Sequence, residues 1–392
     1  MGNFLAMVNK KIIIVSPAYP YRGGQALVEA YLHKALRTMN YDTFTISYKL
    51  LYPKIFFPGK TQYDESKIIP FEHSDKIYRI LNSINPITWI SAFRKIKQEK
   101  PDVVIIVWWM FFFAPCLSVL SWLIKHFAKE IHISFLVENY ISHENHWFEN
   151  ILVRSTLKHA DSFVVESHYI HNEIKKDFLN IPIFETTLNV YDCYDLKRYD
   201  KDSAKSFLDI ITKNVLLFFG LIRPYKGLDK LINAFPNILL QEPDTTLVIA
   251  GECYEDLTKY TNLIDKHSLN KNIKLETKFI ANEFVEPYFK ATDVVVMPYN
   301  SGTQSGILMM SYGFRVPVVA TDVGGIRELI KKDYTGIIIN DNGIQNICNA
   351  VIKILRTKNK VNYAENIECF IADMGYNKLD NIIKQIIDLQ RY

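Results

Sequence analysis

Two basic residues, Arg223 and Lys226, stand in the stretch Gly220-Leu221-Ile222-Arg223-Pro224-Tyr225-Lys226-Gly227, directly after the apolar run 215–219. Cations on a loop that leaves a strand can neutralise a diphosphate and the charge that grows on a departing nucleotide. A solvent-facing basic turn is the plainer reading of the same residues. On either reading both side chains are expected outside the core. Gly220 and Gly227 frame the loop, at the strand exit and at the start of the next helix.

A second loop, Pro298-Tyr299-Asn300-Ser301-Gly302-Thr303-Gln304-Ser305-Gly306, separates the strand-like run 293–297 from the apolar segment ILMMSYG. Ser305 falls where a helix N-cap is expected. Thr303, Gln304 and Ser305 carry hydroxyl and amide groups suited to sugar hydroxyls or phosphate, and the amides that open the helix at Gly306 are further donors. A structural cap accounts for Ser305 alone, but not for so many polar residues before a buried helix. The third loop, 321–328, holds Gly324-Gly325 and then Glu328, read as help at a helix start rather than as a catalytic acid.

Near the N-terminus, Tyr19-Pro20-Tyr21-Arg22-Gly23-Gly24-Gln25 follows the strand-like run 11–15. Gly23 and Gly24 can present backbone N–H groups without side-chain crowding. Arg22 is either an anion reader or an exposed solubilising residue. This loop is not GxGxxG, and Asp42 alone does not make a ribose site, which argues against a nucleotide dehydrogenase. Glu138, in LVENYISHE, either contacts a sugar or acceptor or caps a neighbouring loop. His143 and His146 form an HxxH pattern with too few further ligands to define zinc, so no metal site is assigned.

The elements that must position these loops follow from the apolar pattern. Strands are expected at 11–15, 43–47, 103–107, 133–137 and 162–165, with a helix at about 26–39. A second series runs 215–219, 245–250, 273–276, 294–297, 317–320 and 336–339. Helices are expected at 228–240, 257–267, 285–290, 307–312, 326–330 and 344–355. Continuous apolar strands alternating with helices specify doubly wound parallel α/β sheets. The polar stretch 192–213 marks the passage between two such domains, and Leu379, Ile382, Ile383, Ile386 and Ile387 form a final amphipathic stripe. Residues 103–124 carry no charge and match a membrane span in length. Pro101-Asp102 before them and Pro115 within them instead divide the segment into a buried strand and a helix. The aromatic run 108–113 is offered as a contact for a membrane surface or a lipid-bearing acceptor.

A chain of 392 residues, 48% hydrophobic, can fill two cores. Its net charge of +4, with only short basic clusters, argues against a nucleic-acid partner. Five scattered cysteines without CxxC fit a reducing compartment. The first residues do not form a secretion signal, and Gly2 with Ala6 is an incomplete lipidation motif.

The stretches FFGLIRPYKGLDKLI, LVIAGE, YFKATDVVVMPY, TQSGILMMSYGFRVPVVATDVGG and SPAYPYRGG together resemble the retaining glycosyltransferases of family 4, of GT-B fold. The resemblance implies two Rossmann-like domains with an interdomain cleft and a C-terminal crossover helix. Residues 1–190 would bind the acceptor and be joined by 372–392; 191–212 would be the linker, and 213–371 would bind the nucleotide sugar. It implies sugar transfer with retention from a UDP- or GDP-sugar to a saccharide or lipid-linked acceptor, in bacterial surface-polysaccharide synthesis. The reaction would be metal-independent, without a tightly bound cofactor, in the cytoplasm with peripheral contact at the membrane face.

The family's donor-phosphate cations fall on Arg223 and Lys226; its usual earlier arginine is Leu221 here. The glycine loop at Gly23 and Gly24 would approach the diphosphate or the acceptor, and Gly220, Thr303, Gln304, Ser305 and Gly306 complete the donor set. Glu138 occupies a position that is often histidine in the family, and joins Arg223 and Lys226 as a catalytic candidate. His143 and Glu144 are similar to a nearby family pair. The family's paired glutamates fall on Gly302 and Met310, so this is a TQSG variant without them, in which Met310 would pack in the helix. The resemblance implies front-face attack without an enzymatic nucleophile. The alternatives are a catalytically inactive sugar-nucleotide or polysaccharide-binding protein and, less favoured, a nucleotide-sugar epimerase or a phosphorylase. Oligomeric state is not specified.

Overall fold

The computed structural model describes residues 10–53, 61–66, 68, 76–140, 149–358, 360–372 and 374–389. These divide into two compact units, one drawn from 1–65, 69–189 and 374–392, the other from 66–68 and 190–373.

The first unit runs β1 (Lys11–Val15), α1 (Gly24–Thr38), β2 (Asp42–Leu50), β3 (Ile77–Asn82), α2 (Pro86–Glu99), β4 (Val103–Trp108), α3 (Ala114–Phe127), β5 (His132–Val137), α4 (Glu149–Leu157), β6 (Ser162–Val165), α5 (His168–Lys175) and β7 (Ile183–Glu185). Its seven strands are parallel in the order β3-β2-β1-β4-β5-β6-β7. Every residue of β4, β5 and β6 is buried, as expected of strands covered on both faces. Two aspartates fix where strands begin. Asp102 accepts from the Lys11 amide at 2.8 Å, and Asp161 from the Ile133 amide at 2.9 Å. Helix α2 starts at a local signal: Asn85 accepts from the Ile87 amide at 3.1 Å, with Pro86 at the first helical position.

The uncharged segment 103–124 is β4, a 3-10 turn at Phe111–Phe113 and the 14-residue α3. Among the described residues no helix is long and apolar enough to cross a membrane. The aromatic run is divided between the core and the surface, with Met110, Phe111 and Phe112 only partly buried. Trp108, Trp109 and Phe113 are buried, and the Phe113 ring packs on Trp109, Tyr48 and Tyr52. Large rings at the end of a central strand remove more apolar area from water inside the unit than they could by lying on its outside.

The second unit runs α6 (Lys201–Phe207), β8 (Asn214–Phe219), α7 (Leu228–Gln241), β9 (Thr245–Ala250), α8 (Thr258–Lys266), β10 (Ile273–Glu276), α9 (Val285–Lys290), β11 (Val294–Met297), α10 (Gly306–Gly313), β12 (Val318–Thr321), β13 (Gly336–Ile339), α11 (Ile344–Thr357) and α12 (Tyr363–Ile371). Six parallel strands lie in the order β10-β9-β8-β11-β12-β13. Leu231, Phe235 and Ile238 of α7 and Ile347, Val351 and Ile354 of α11 pack over Leu216 and Phe218 of β8. Buried Asp293 ties the strand-start edge together: it accepts from the Val215 amide at 2.9 Å, Lys201 at 2.6 Å and Lys358 at 2.7 Å. The helix expected at 326–330 is a 3-10 turn, Ile326–Leu329.

The chain then returns to the first unit. Helix α13 (Leu379–Asp388) buries Leu379, Ile382, Ile383, Ile386 and Ile387, and Asp380 accepts from Tyr41 at 2.9 Å. Ahead of it, the Gly375 amide donates to Thr187 at 2.6 Å and the Tyr376 amide to Asn189 at 3.1 Å.

Candidate functional site

In the second unit, three loops gather at the carboxyl ends of β8, β11 and β12, the edge where open parallel sheets place ligands. They are clipped to one another through the backbone. The Asn300 amide donates to Tyr225 O at 2.7 Å and the Asn300 side chain to Pro224 O at 3.0 Å. Asn342, just beyond β13, donates to Pro298 O at 2.9 Å and to Asn300 Oδ1 at 2.6 Å. The approach is so close that residue 227 must lack a side chain. Gly227 has φ 65°, and a Cβ there would lie 2.0 Å from Pro298 O. Gly324 is constrained in the same way: at φ 54°, a Cβ would stand 1.9 Å from Gly302 O. The neighbouring Gly325 amide donates to Thr303 O at 2.7 Å, so the third loop buttresses the second.

Lys226 is only 7% exposed, which corrects the expectation that both cations lie outside the core. The following turn at Gly227 carries its side chain back over the sheet edge. Its Nζ stands 5.7 Å from the Tyr299 ring centre. A Cβ on Gly220 would meet both Lys226 Nζ, at 3.2 Å, and the Ile307 side chain in the first turn of α10, at 3.0 Å. The ammonium therefore lies between the first loop and the start of α10. Burial, and then the Arg223 charge, lower its pKa from 10.5 to about 8. Arg223 is half-buried, with its guanidinium 5.3 Å from the Tyr254 ring centre and its Nε enclosed without a hydrogen bond. Among the described residues no salt bridge joins a carboxylate to either cation.

Ser305 does not cap α10 through its side chain. Its Oγ lies 3.4 Å from the Tyr299 hydroxyl and 3.6 Å from Met297 Sδ, turned inward by the packing of Tyr299 over the strand end. The first-turn amides of α10 thus have no serine cap, and at a helix start such amides face an anion readily. Thr303 is buried, Gln304 is half-buried with Nε2 enclosed and unbonded, and Gly306 opens the helix. Met310 is buried in α10, and neither it nor Gly302 offers a carboxylate.

In the first unit, Gly23 sits at the N-cap of α1 with φ 115°, and Gly24 begins the helix, exposed. Gln25 donates to Glu138 Oε2 at 3.0 Å. Glu138 directly follows β5 and Glu166 directly follows β6, and the strands pair Val137 with Val165. The two carboxyl-bearing residues thus leave adjacent ends of neighbouring strands, which run about 4.8 Å apart across a sheet. Glu166 accepts from the buried Tyr376 hydroxyl at 2.8 Å. Glu138 Oε1 and Glu166 Oε2 are enclosed without hydrogen bonds. Burial holds both carboxyls well above the usual carboxylate range, and the neighbouring Glu166 raises Glu138 further. The pair therefore holds protons to higher pH than exposed carboxyls do, and in its protonated form Glu138 can donate a hydrogen bond as well as accept one. Sequence reasoning missed Gln25, Glu166, Tyr376 and Asn342. The available signal was a glutamate immediately after each of two adjacent apolar strands. His143, Glu144 and His146 lie outside the described residues.

Residues 200–368 match the family model described as glycosyl transferases group 1. An uncharacterized glycosyltransferase of Methanocaldococcus jannaschii is 24% identical over 389 residues, covering 92% of this chain and 94% of its own. Among solved structures, sucrose-phosphate synthase from Thermosynechococcus elongatus superposes with a TM-score of 0.73 at 15% identity, covering 97% of this chain and 100% of the other. The Anabaena protein HepE in complex with UDP-glucose superposes at 0.69 and 15% identity, covering 97% and 98%.

Proposed function

We propose that this chain, an enzyme of glycosyltransferase type with a GT-B fold, transfers a sugar with retention from a UDP- or GDP-sugar to a saccharide or lipid-linked acceptor. The observation that carries the reading is the pair Arg223 and Lys226: a half-buried guanidinium and a buried ammonium with no carboxylate partner among the described residues, beside the start of α10. Two uncompensated cations at a sheet edge cost stability unless an anion joins them. A nucleoside diphosphate supplies that charge, and the helix-start amides and the Thr303-Gln304-Ser305 loop supply donors for phosphate or sugar oxygens.

In the proposed reaction the bond between the sugar's anomeric carbon and the diphosphate oxygen breaks. The acceptor oxygen bonds to the same face, and its proton passes to the departing phosphate. Arg223 and Lys226 stabilise the charge that grows on that phosphate, so no carboxylate nucleophile is needed. In the first unit, Glu138 in its protonated form offers a hydrogen bond to a sugar or acceptor oxygen, and Gly23 and Gly24 offer backbone amides. We read the reaction as metal-independent and cytoplasmic, in surface-polysaccharide synthesis with peripheral membrane contact.

The absence of carboxylates at Gly302 and Met310 favours a second reading, a sugar-nucleotide-binding protein without turnover. A panel of UDP- and GDP-sugars, incubated with mixed saccharide acceptors and read by mass spectrometry, separates the two. A product heavier by one sugar residue supports transfer; nucleotide binding without product supports the binding protein; neither binding nor product rejects both.

A further inference from the structure

We infer that His168, His171 and Glu185 form a binding site for one divalent transition-metal ion of the zinc class, on the first unit and separate from the donor loops. His168 opens α5 and His171 lies one turn further on, so both imidazoles leave the same helix face. Glu185 ends β7, which pairs with β6 through Val165 and Glu185, and Ser167 caps α5 immediately after β6 by accepting from the Ile170 amide. A short β6–α5–β7 unit therefore brings the three residues together.

Three ligand atoms, one from each residue, lie within 4.8 Å of one another. His168 Nδ1 is 2.9 Å and His171 Nδ1 is 2.6 Å from the same oxygen, Glu185 Oε1. The two imidazole centres are 5.7 Å apart. Tetrahedral zinc, bound at about 2.0–2.1 Å, sets its ligand atoms roughly 3.3 Å apart, within the interval these atoms already span.

A pair of imidazole–carboxylate hydrogen bonds does not account for the arrangement. His171 Nδ1 is enclosed and makes no hydrogen bond, because its 2.6 Å approach to Glu185 lacks the required alignment. A cation seated beside the line joining the two atoms satisfies both. Two imidazoles and one carboxylate suit zinc, cobalt or nickel, whereas magnesium and calcium need more oxygen ligands. The ion would fasten the start of α5 to the exit of β7. The next residues, Thr186, Thr187 and Asn189, hold the returning Gly375–Tyr376 segment, so the role is structural and leaves the donor chemistry untouched.

The test uses the full chain, stripped with chelator, titrated with CoCl2 by visible absorption and with ZnCl2 by calorimetry. One equivalent should bind and raise the melting temperature, with excess MgCl2 or CaCl2 unable to compete. His171→Ala and Glu185→Gln should each weaken binding by at least about tenfold, with circular dichroism confirming the fold. His143→Ala/His146→Ala should bind as the parent does. Undiminished binding by His168→Ala/His171→Ala, loss of binding in the His143/His146 variant, or no stoichiometric binding by the parent would each overturn the assignment.

Discussion

Replacing Lys226 with methionine should make the protein more stable and its donor site worse. Methionine keeps an unbranched chain of similar length and removes only the charge. Lowering the ammonium pKa from 10.5 to about 8 means that the folded state holds the charge at a cost of roughly 3 kcal/mol, at 1.36 kcal/mol per unit. Loss of the cation–ring contact with Tyr299, at 5.7 Å, removes roughly 0.5–1 kcal/mol of favourable interaction. Burial dominates, and Lys226→Met should gain about 2 kcal/mol at pH 7. For a unit of this size that is a rise of roughly 4–8 °C in melting temperature.

The pH dependence has a definite sign. The folded pKa is depressed, so the penalty is complete below about pH 8 and is relieved as pH climbs from there towards 10.5. This group makes the parent gain stability through that window, and the variant loses that contribution. If Lys226 gives the proposed charge-assisted hydrogen bonds to the diphosphate, nucleoside diphosphate binding should weaken by roughly 10–100-fold. Urea unfolding followed by fluorescence, with calorimetric titration of UDP and GDP, measures both effects. A variant less stable than the parent that binds nucleotide equally well would refute the reasoning, since Lys226 would then be a packing residue.

Three further outcomes are expected. Arg223→Ala should lower the initial transfer rate roughly 10²–10³-fold with an unchanged circular dichroism spectrum, because it removes charge stabilisation from a half-buried loop residue. The raised carboxyls of Glu138 and Glu166 favour the folded state at low pH, a contribution lost as pH rises from the usual carboxylate range through neutrality. The parent's melting temperature should fall over that interval by at least about 2 °C, and Glu138→Gln/Glu166→Gln should flatten the fall, as pH-resolved thermal melts would show. Gly324→Ala should cost at least about 1–3 kcal/mol and weaken nucleotide binding, since its methyl group would drive Gly302 and the Thr303 loop out of place; urea melts and titration read the two effects.

The central strands were legible because each is a continuous apolar run. Lys11–Val15, Ser162–Val165 and Thr245–Ala250 fall on their expected residues. The edge strands of the second unit, Ile273–Glu276 and Gly336–Ile339, were legible too, but those of the first unit were not. Ile77–Asn82 is only partly covered and mixes polar with apolar residues, and Ile183–Glu185 is three residues long, too short for periodicity to register. The candidate loop residues could be placed after strand ends from the pattern, but their environments could not. Burial of Lys226 depends on Tyr299 and Ile307, residues far from it in the chain that reach it only through sheet order. The pairing of Glu138 with Glu166 depends in turn on the β5–β6 register. Ser305 has the right residue type and position for a cap, and local pattern could not reveal that Tyr299 and Met297 would draw its hydroxyl inward.

The return of residues 374–392 to the first unit bears on the order in which the molecule can be made. A ribosome releases all of 190–373 before the segment that supplies Tyr376 to Glu166 and the α13 stripe to the first unit. The earliest-synthesised strands therefore remain without their final cover while the later unit can already close around its own core. A nascent chain halted before residue 374 should display one protease-resistant body and one susceptible one. The susceptible body would be the part that left the ribosome first.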